Sequence, residues 1–240
     1  MEYRYTDIVL GKKEVGETDR LYTLYTREQG KIRVMAKGVR KQEAKLASQL
    51  ESFTVVSLII NKTKGIGKIT SAVAEEMFAS LRGDYEALLS VSQNMSILER
   101  FVDMDESDEE LYGLMTQYLE EGERLVNEGQ KERMRLLSQV FLFQLFSHLG
   151  YHIEAETSVH SGARLIQGER HFFSPRAGGV ITEDEAHELK ESFYIQENTI
   201  KLMRLFATNR LGACLKLKLS DSDLRELEMV TRRFADWIAH

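Results

Sequence analysis

The sequence predicts an α+β chain in which a five-stranded β-barrel precedes a mainly α-helical domain with a loop-rich insert. Three observations predict it. Apolar residues recur with period two through about the first 75 residues. Beyond about residue 76 they recur with a helical period instead. Charge divides at the same place: residues 1–80 hold 14 Lys and Arg against 10 Asp and Glu, a net of +4, and the remainder carries 18 against 28, a net of −10. Two domains, 1–80 and 81–240, with different electrostatic roles are the simplest reading.

The first strand is expected over 3–12 (YRYTDIVLGK), and GETDR at 16–20 supplies a turn. Residues 20–27 form a second strand, apolar on both faces and therefore central. The turn at 28–30 leads into the stretch GKIRVMAKGVRKQEAK (30–45), around which the chain is organised. There Ile32, Val34 and Ala36 face one way and Lys31, Arg33, Met35 and Lys37 the other. A helical turn is expected over 44–50, a β-branched strand over 52–61, a basic glycine-bearing loop over 62–68 and a fifth strand over 69–75. Strand count, strand order and the helical element before the fourth strand fit an OB-fold barrel.

Helices are expected over 84–103, Leu111–Val126 behind an acidic start at 105–110, and 131–150. The last of these is apolar around most of its circumference and is the expected buried axis. Residues 151–182 lose the pattern; Gly162, Gly168, Gly178, Gly179 and the single proline, Pro175, mark an insert at about 151–185. Helices return at Glu183–Phe193, Thr199–Ala207 and Ser222–Ala239, the last capped by Ser222 or Asp221.

Several function classes are disfavoured. No run of 18 apolar residues and no signal-peptide pattern is present, so a cytoplasmic location without membrane association is expected. There is no phosphate-binding GxxxxGK[ST] loop and no nucleophile elbow around Ser174. Cys214, the single cysteine, reads as a buried structural thiol. His152, His160 and His171, even with Glu154 or Glu156, match no metal-ligand spacing. No cofactor is expected, and no enzyme.

What remains is a cationic track. Within 31–68, nine basic residues face two acidic ones. Lys and Arg in rows along a strand and its flanking loops suit a phosphate backbone, or else keep a strand edge soluble. The candidates are Arg20, Lys31, Arg33, Lys37, Arg40, Lys41 and Lys45, with Lys62, Lys64 and Lys68 behind them. Arg20 has a competing role as an ion-pair partner of Glu17 or Asp19. Tyr3, Tyr22 and Tyr25 are either base-stacking aromatics or core.

The run DIVLGKKEVGETDRLYTLYTREQGKIRVMAKGVRK (7–41), HLGY (148–151) and FSPRAGGV (173–180) resemble, in this order, the RecO family of recombination mediators. The resemblance implies a non-enzymatic, nucleoid-associated DNA-repair protein. It would bind single- and double-stranded DNA, anneal complementary strands and, with RecR, help load RecA onto DNA coated by single-stranded-DNA-binding protein. It also implies a helical-domain pocket for that protein's acidic C-terminal tail, for which Arg133 and Arg135 are the candidates. Many members carry a four-cysteine zinc site in the insert. The corresponding positions here are Ser158, Ser161, Thr182 and Glu185, which offer no thiolate, so a zinc-free insert is expected. An RNA-binding OB-fold module, a pure adaptor and a histidine-dependent hydrolase acting through His160 are the alternatives.

Overall fold

A computed structural model describes residues 1–40, 46–62 and 65–239. They form two compact units, Met1–Asn127 and Glu128–His240, so contact density places the first helices with the barrel rather than with the later ones.

The first unit begins with a closed barrel of order β1-β2-β3-β5-β4. Its strands are β1 (Glu2–Val15), β2 (Asp19–Thr26), β3 (Gly30–Ala36), β4 (Val55–Asn61) and β5 (Gly67–Glu76), with the short α1 (Leu46–Gln49) before β4. All pairings are antiparallel except β3 with β5, where Val34 meets Gly67 and Met35 meets Lys68. This closure is OB-like. Period-two alternation fills the interior with Val9, Tyr22, Leu24, Ile32, Val34, Val56, Leu58, Ile60 and Ile69, and Leu46 and Ala47 of α1 pack against this core.

β1 is longer than the expected 3–12. A register shift between Val9 and Gly11 bends it and carries it on to Val15. The helices of the unit are α2 (Ala79–Gly83), α3 (Tyr85–Phe101) and α4 (Glu109–Asn127). Asp84 starts α3 by accepting from Ala87 N at 3.0 Å, and Asp108 starts α4 by accepting from Leu111 N at 2.9 Å. Tyr22 and Tyr25 are fully buried, so they belong to the core and are unavailable for stacking.

The second unit is built on α5 (Met134–His148), which is buried around nearly its whole circumference as the sequence predicts. It packs against α7 (Glu197–Thr208), α8 (Leu211–Cys214) and α9 (Asp221–Ile238). Aromatic edges lock this core: Phe146 on Phe234 at 5.4 Å and Phe143 on Phe206 at 5.7 Å. Cys214 is buried, as expected. The cap of α9 is Ser220, which forms a reciprocal capping box with Asp223; the expected Ser222 and Asp221 lie inside the helix.

The insert folds as a sheet of order β7-β6-β8, from β6 (His171–Ser174), β7 (Gly179–Thr182) and β8 (Phe193–Ile195). The helix expected over Glu183–Phe193 stops after one turn, α6 (Glu183–Ala186). Phe193 instead pairs with Phe173 across β6 and β8, their rings 5.6 Å apart, so tertiary pairing overrides local helical texture.

Ser158, Ser161, Thr182 and Glu185 converge. Ser158 Oγ donates to Glu185 Oε2 at 2.6 Å, and Thr182 N donates to the same oxygen at 2.8 Å. Thr182 and Glu185 also form the capping box of α6. Three hydroxyls and one carboxylate already engaged by hydrogen bonds do not fit a structural zinc, which takes thiolate or imidazole donors. Partial burial opposes the charge on Glu185, but hydrogen bonds from Ser158, Ser161 and Thr182 outweigh it and hold the carboxyl down at about 2. This support is complete above the ordinary glutamate value and disappears as pH falls through about 2. Glu185→Gln is expected to weaken the lobe at pH 7 by about 1–2 kcal/mol, the scale of hydrogen bonds to a charged acceptor. Amide exchange of β6 and β7 reads this; unchanged protection would remove the clasp from the account.

Candidate nucleic-acid interface

The two basic-end motifs of the sequence meet in space. Asp19 Oδ1 accepts from Gly38 N at 2.8 Å and from Thr18 Oγ1 at 3.0 Å, while Arg40 N donates to Thr18 O at 3.0 Å. The β1–β2 turn is thereby tied to the exit of β3. Arg20 and Arg40 share one acceptor, Glu14, at 3.7 and 3.3 Å. The ion pair expected for Arg20 therefore forms with Glu14, across the β1–β2 register, rather than with Glu17 or Asp19.

On β3 the predicted alternation holds: Ile32, Val34 and Ala36 are buried and Arg33 is exposed. Cross-strand neighbours share a face. Lys13 on β1 pairs with Leu21 on β2, Leu21 with Met35 on β3, and Met35 with Lys68 on β5. This is one continuous outward row, with exposed lysines at its ends and half-buried Leu21 and Met35 between them. Arg33 lies in the next row, paired with Thr23, and exposed Lys37 follows at the end of β3. Lys13, Arg33, Lys37 and Lys68 have no ion-pair partner among the described residues. Lys13 was missed from sequence because it stands on the extension of β1 beyond the bulge, where the last four residues are exposed and no alternation marks a strand.

Lys31 sits differently. Its ammonium donates to Glu99 O at 2.8 Å near the end of α3, so it caps a helix in its own unit. Lys62 is exposed, and lines a small notch of about 20 Å³ with Tyr3, Tyr5 and Arg33. Tyr3 and Tyr5 stack in parallel at 6.0 Å, and Tyr5 donates to Gln29 at 2.7 Å. Tyr3, at 37% exposure, is the one of the three candidate tyrosines that is not buried. Tyr5 was not singled out by sequence, being one position of a strand pattern. Lys41, Lys45 and Lys64 lie outside the described residues.

In the second unit the two arginine candidates are engaged internally. Arg133 donates to Leu215 O at 2.6 Å. Arg135 grips Glu228 with two hydrogen bonds, of 2.8 and 2.9 Å, and also bonds Asp221. These hydrogen bonds push the Arg135 guanidinium further up. Among the described residues no group of three or more His, Cys, Asp and Glu is placed to hold a metal, and no helix is long and apolar enough to cross a membrane.

Comparison with known proteins covers nearly the whole chain. Residues 1–78 match the family model for the recombination protein O N terminal, and residues 82–238 match that for its C terminal. The chain is similar to the DNA repair protein RecO of Desulfitobacterium hafniense, 26% identical over 98% of this chain and 84% of that one. It is also similar to the RecO proteins of Bacillus subtilis, 28% identical over 93% and 84% of the two chains, and of Heliobacterium modesticaldum, 29% identical over 84% and 72%. The chain belongs to the RecO family of DNA repair and recombination proteins.

Proposed function

We propose that this protein binds single- and double-stranded DNA on the outer face of β1, β2, β3 and β5 and anneals complementary strands. The observation that carries the reading is the quartet of Lys13, Arg33, Lys37 and Lys68, without ion-pair partners among the described residues, around the half-buried Leu21 and Met35. Such cations neutralise phosphates and release counterions without reading sequence. The Tyr3–Tyr5 stack beside Arg33 and Lys62 offers an aromatic edge to an unpaired base. Arg20 and Arg40 hold the turn in place through Glu14 and contribute positive potential behind this face. Two strands neutralised on one such surface repel each other less, which favours pairing without any covalent step.

As a member of the RecO family the protein is proposed to act at the nucleoid with RecR, helping to load RecA onto DNA coated by single-stranded-DNA-binding protein. That protein's acidic tail could meet Arg133 and Arg135 only by replacing Leu215 O, Glu228 and Asp221 as their acceptors.

The test is annealing of two complementary oligonucleotides across a salt series. Wild-type acceleration is expected to fall with salt and to be lost in Arg33→Ala/Lys37→Ala/Lys68→Ala. The slope of log affinity for single strands against log salt is expected to flatten by about 2, near 0.7 per contact removed. No acceleration by folded wild type, with or without RecR, would sink the annealing reading. Equal binding of RNA without annealing would favour the adaptor or RNA-binding reading instead.

A further inference from the structure

The second unit contains a cavity of about 610 Å³, lined by Glu156, the segment 164–167, His171, Glu197 and the α7 residues Ile200, Lys201 and Arg204. That volume lies within the range of small-molecule sites. Its most informative wall is His171. The residue is 3% exposed, held at the start of β6 by pairing with Thr182 and Ile195, and its Nε2 has no hydrogen-bond partner among the described residues.

Around this floor the charges are arranged unequally. Lys201 is paired with Glu197 at 2.7 Å, and Arg204 donates to Ala155 O at 2.7 Å and lies 3.5 Å from Glu156. Arg164 has no partner of this kind among the described residues. Three cations against two carboxylates leave the wall net positive, with Arg164 the unmatched charge. Leu165, Ile166 and Ile200 supply an apolar side, with Ile166 exposed.

We propose that this cavity binds a small organic anion: a carboxylate or phosphate carried on an apolar or planar body. The oxyanion meets Arg164, whose planar guanidinium suits two-point recognition of either group. The body lies on Leu165, Ile166 and Ile200, beside His171. The proposal does not depend on the DNA-binding reading.

The full chain, labelled on histidine nitrogens, is titrated separately with thymidine 5′-monophosphate, 4-methylpentanoate and inorganic phosphate. The His171 resonance is assigned from its loss in His171→Gln. One of the two organic anions is expected to shift that resonance saturably, with affinity at least about tenfold above inorganic phosphate; which one does so identifies the oxyanion. Arg164→Gln, on an exposed loop, is expected to weaken that binding at least about fivefold while leaving the other histidine resonances in place. If His171→Gln does not fold, calorimetry on wild type and Arg164→Gln carries the same comparison. Absence of saturable binding by either organic anion overturns the proposal. So does binding that inorganic phosphate matches, or that Arg164→Gln leaves unchanged.

Discussion

Replacing Asp7 by Asn is expected to stabilise the barrel by up to about 5 kcal/mol at pH 8 and above, the free energy of holding a carboxyl protonated about four pH units past its usual range. Asp7 is fully buried between Thr26 and Val56, its register partners on β2 and β4, and neither carboxylate oxygen has a hydrogen-bond partner among the described residues. Burial, with a smaller contribution from the Glu28 charge, pushes the carboxyl up to about 8. The folded chain therefore keeps a proton that the unfolded chain releases near pH 4. The contribution of Asp7 to stability is most favourable below pH 4, falls as pH rises, and levels off above about 8. Asparagine has no proton to lose, so its advantage should shrink to near zero as pH approaches 4. Amide exchange of β1, β2 and β4 across pH 4–9 measures this directly. An Asn variant with the wild-type slope would show that Asp7 is not the group responsible.

Gly30→Ala is expected to destabilise the first unit by about 3 kcal/mol or more, the range reached by forced backbone displacement. Gly30 has φ of +69°, which an alanine adopts only at a cost of about 1–2 kcal/mol. The larger part is steric: a Cβ there would lie 1.8 Å from Glu106 O and 2.4 Å from Glu106 C. That segment cannot easily retreat. Asp105 N donates to Lys31 O at 2.9 Å, and Gln29 donates to Asp105 at 2.8 Å. The control is Gly65→Ala, at φ +71° with nothing among the described residues within 4 Å of the added Cβ, which carries the conformational cost alone. Equal thermal shifts for the two variants would show that the close approach to Glu106 does not matter.

These two positions also mark where sequence reading ends. Alternation along β3 foretold which of its residues face out, because strand periodicity is local. Alternation could not show that Lys31, one position from Ile32, would lie against α3 and spend its ammonium on Glu99 O, 68 residues away. Nor could the start of α5 reveal that Arg135 belongs to Glu228, 93 residues on. Phe193 carried helical texture and became a strand because Phe173 awaited it. Lys13 was hidden by a bulge that no composition rule marks. The motif residues of the β1–β2 turn and the β3 exit were visible, and the structure supplies their reason: the Asp19–Gly38 hydrogen bond makes them one object.

The meeting of Ser158, Thr182 and Glu185 has a practical consequence for how the insert fails. A lobe held by thiolates around a metal is vulnerable to peroxide, to chelators and to metal starvation. Hydroxyls and a carboxylate offer none of those points of attack. The vulnerability moves to strong acid, where Glu185 takes up its proton. In this protein the clasp of the insert is therefore indifferent to redox state and trace-metal supply.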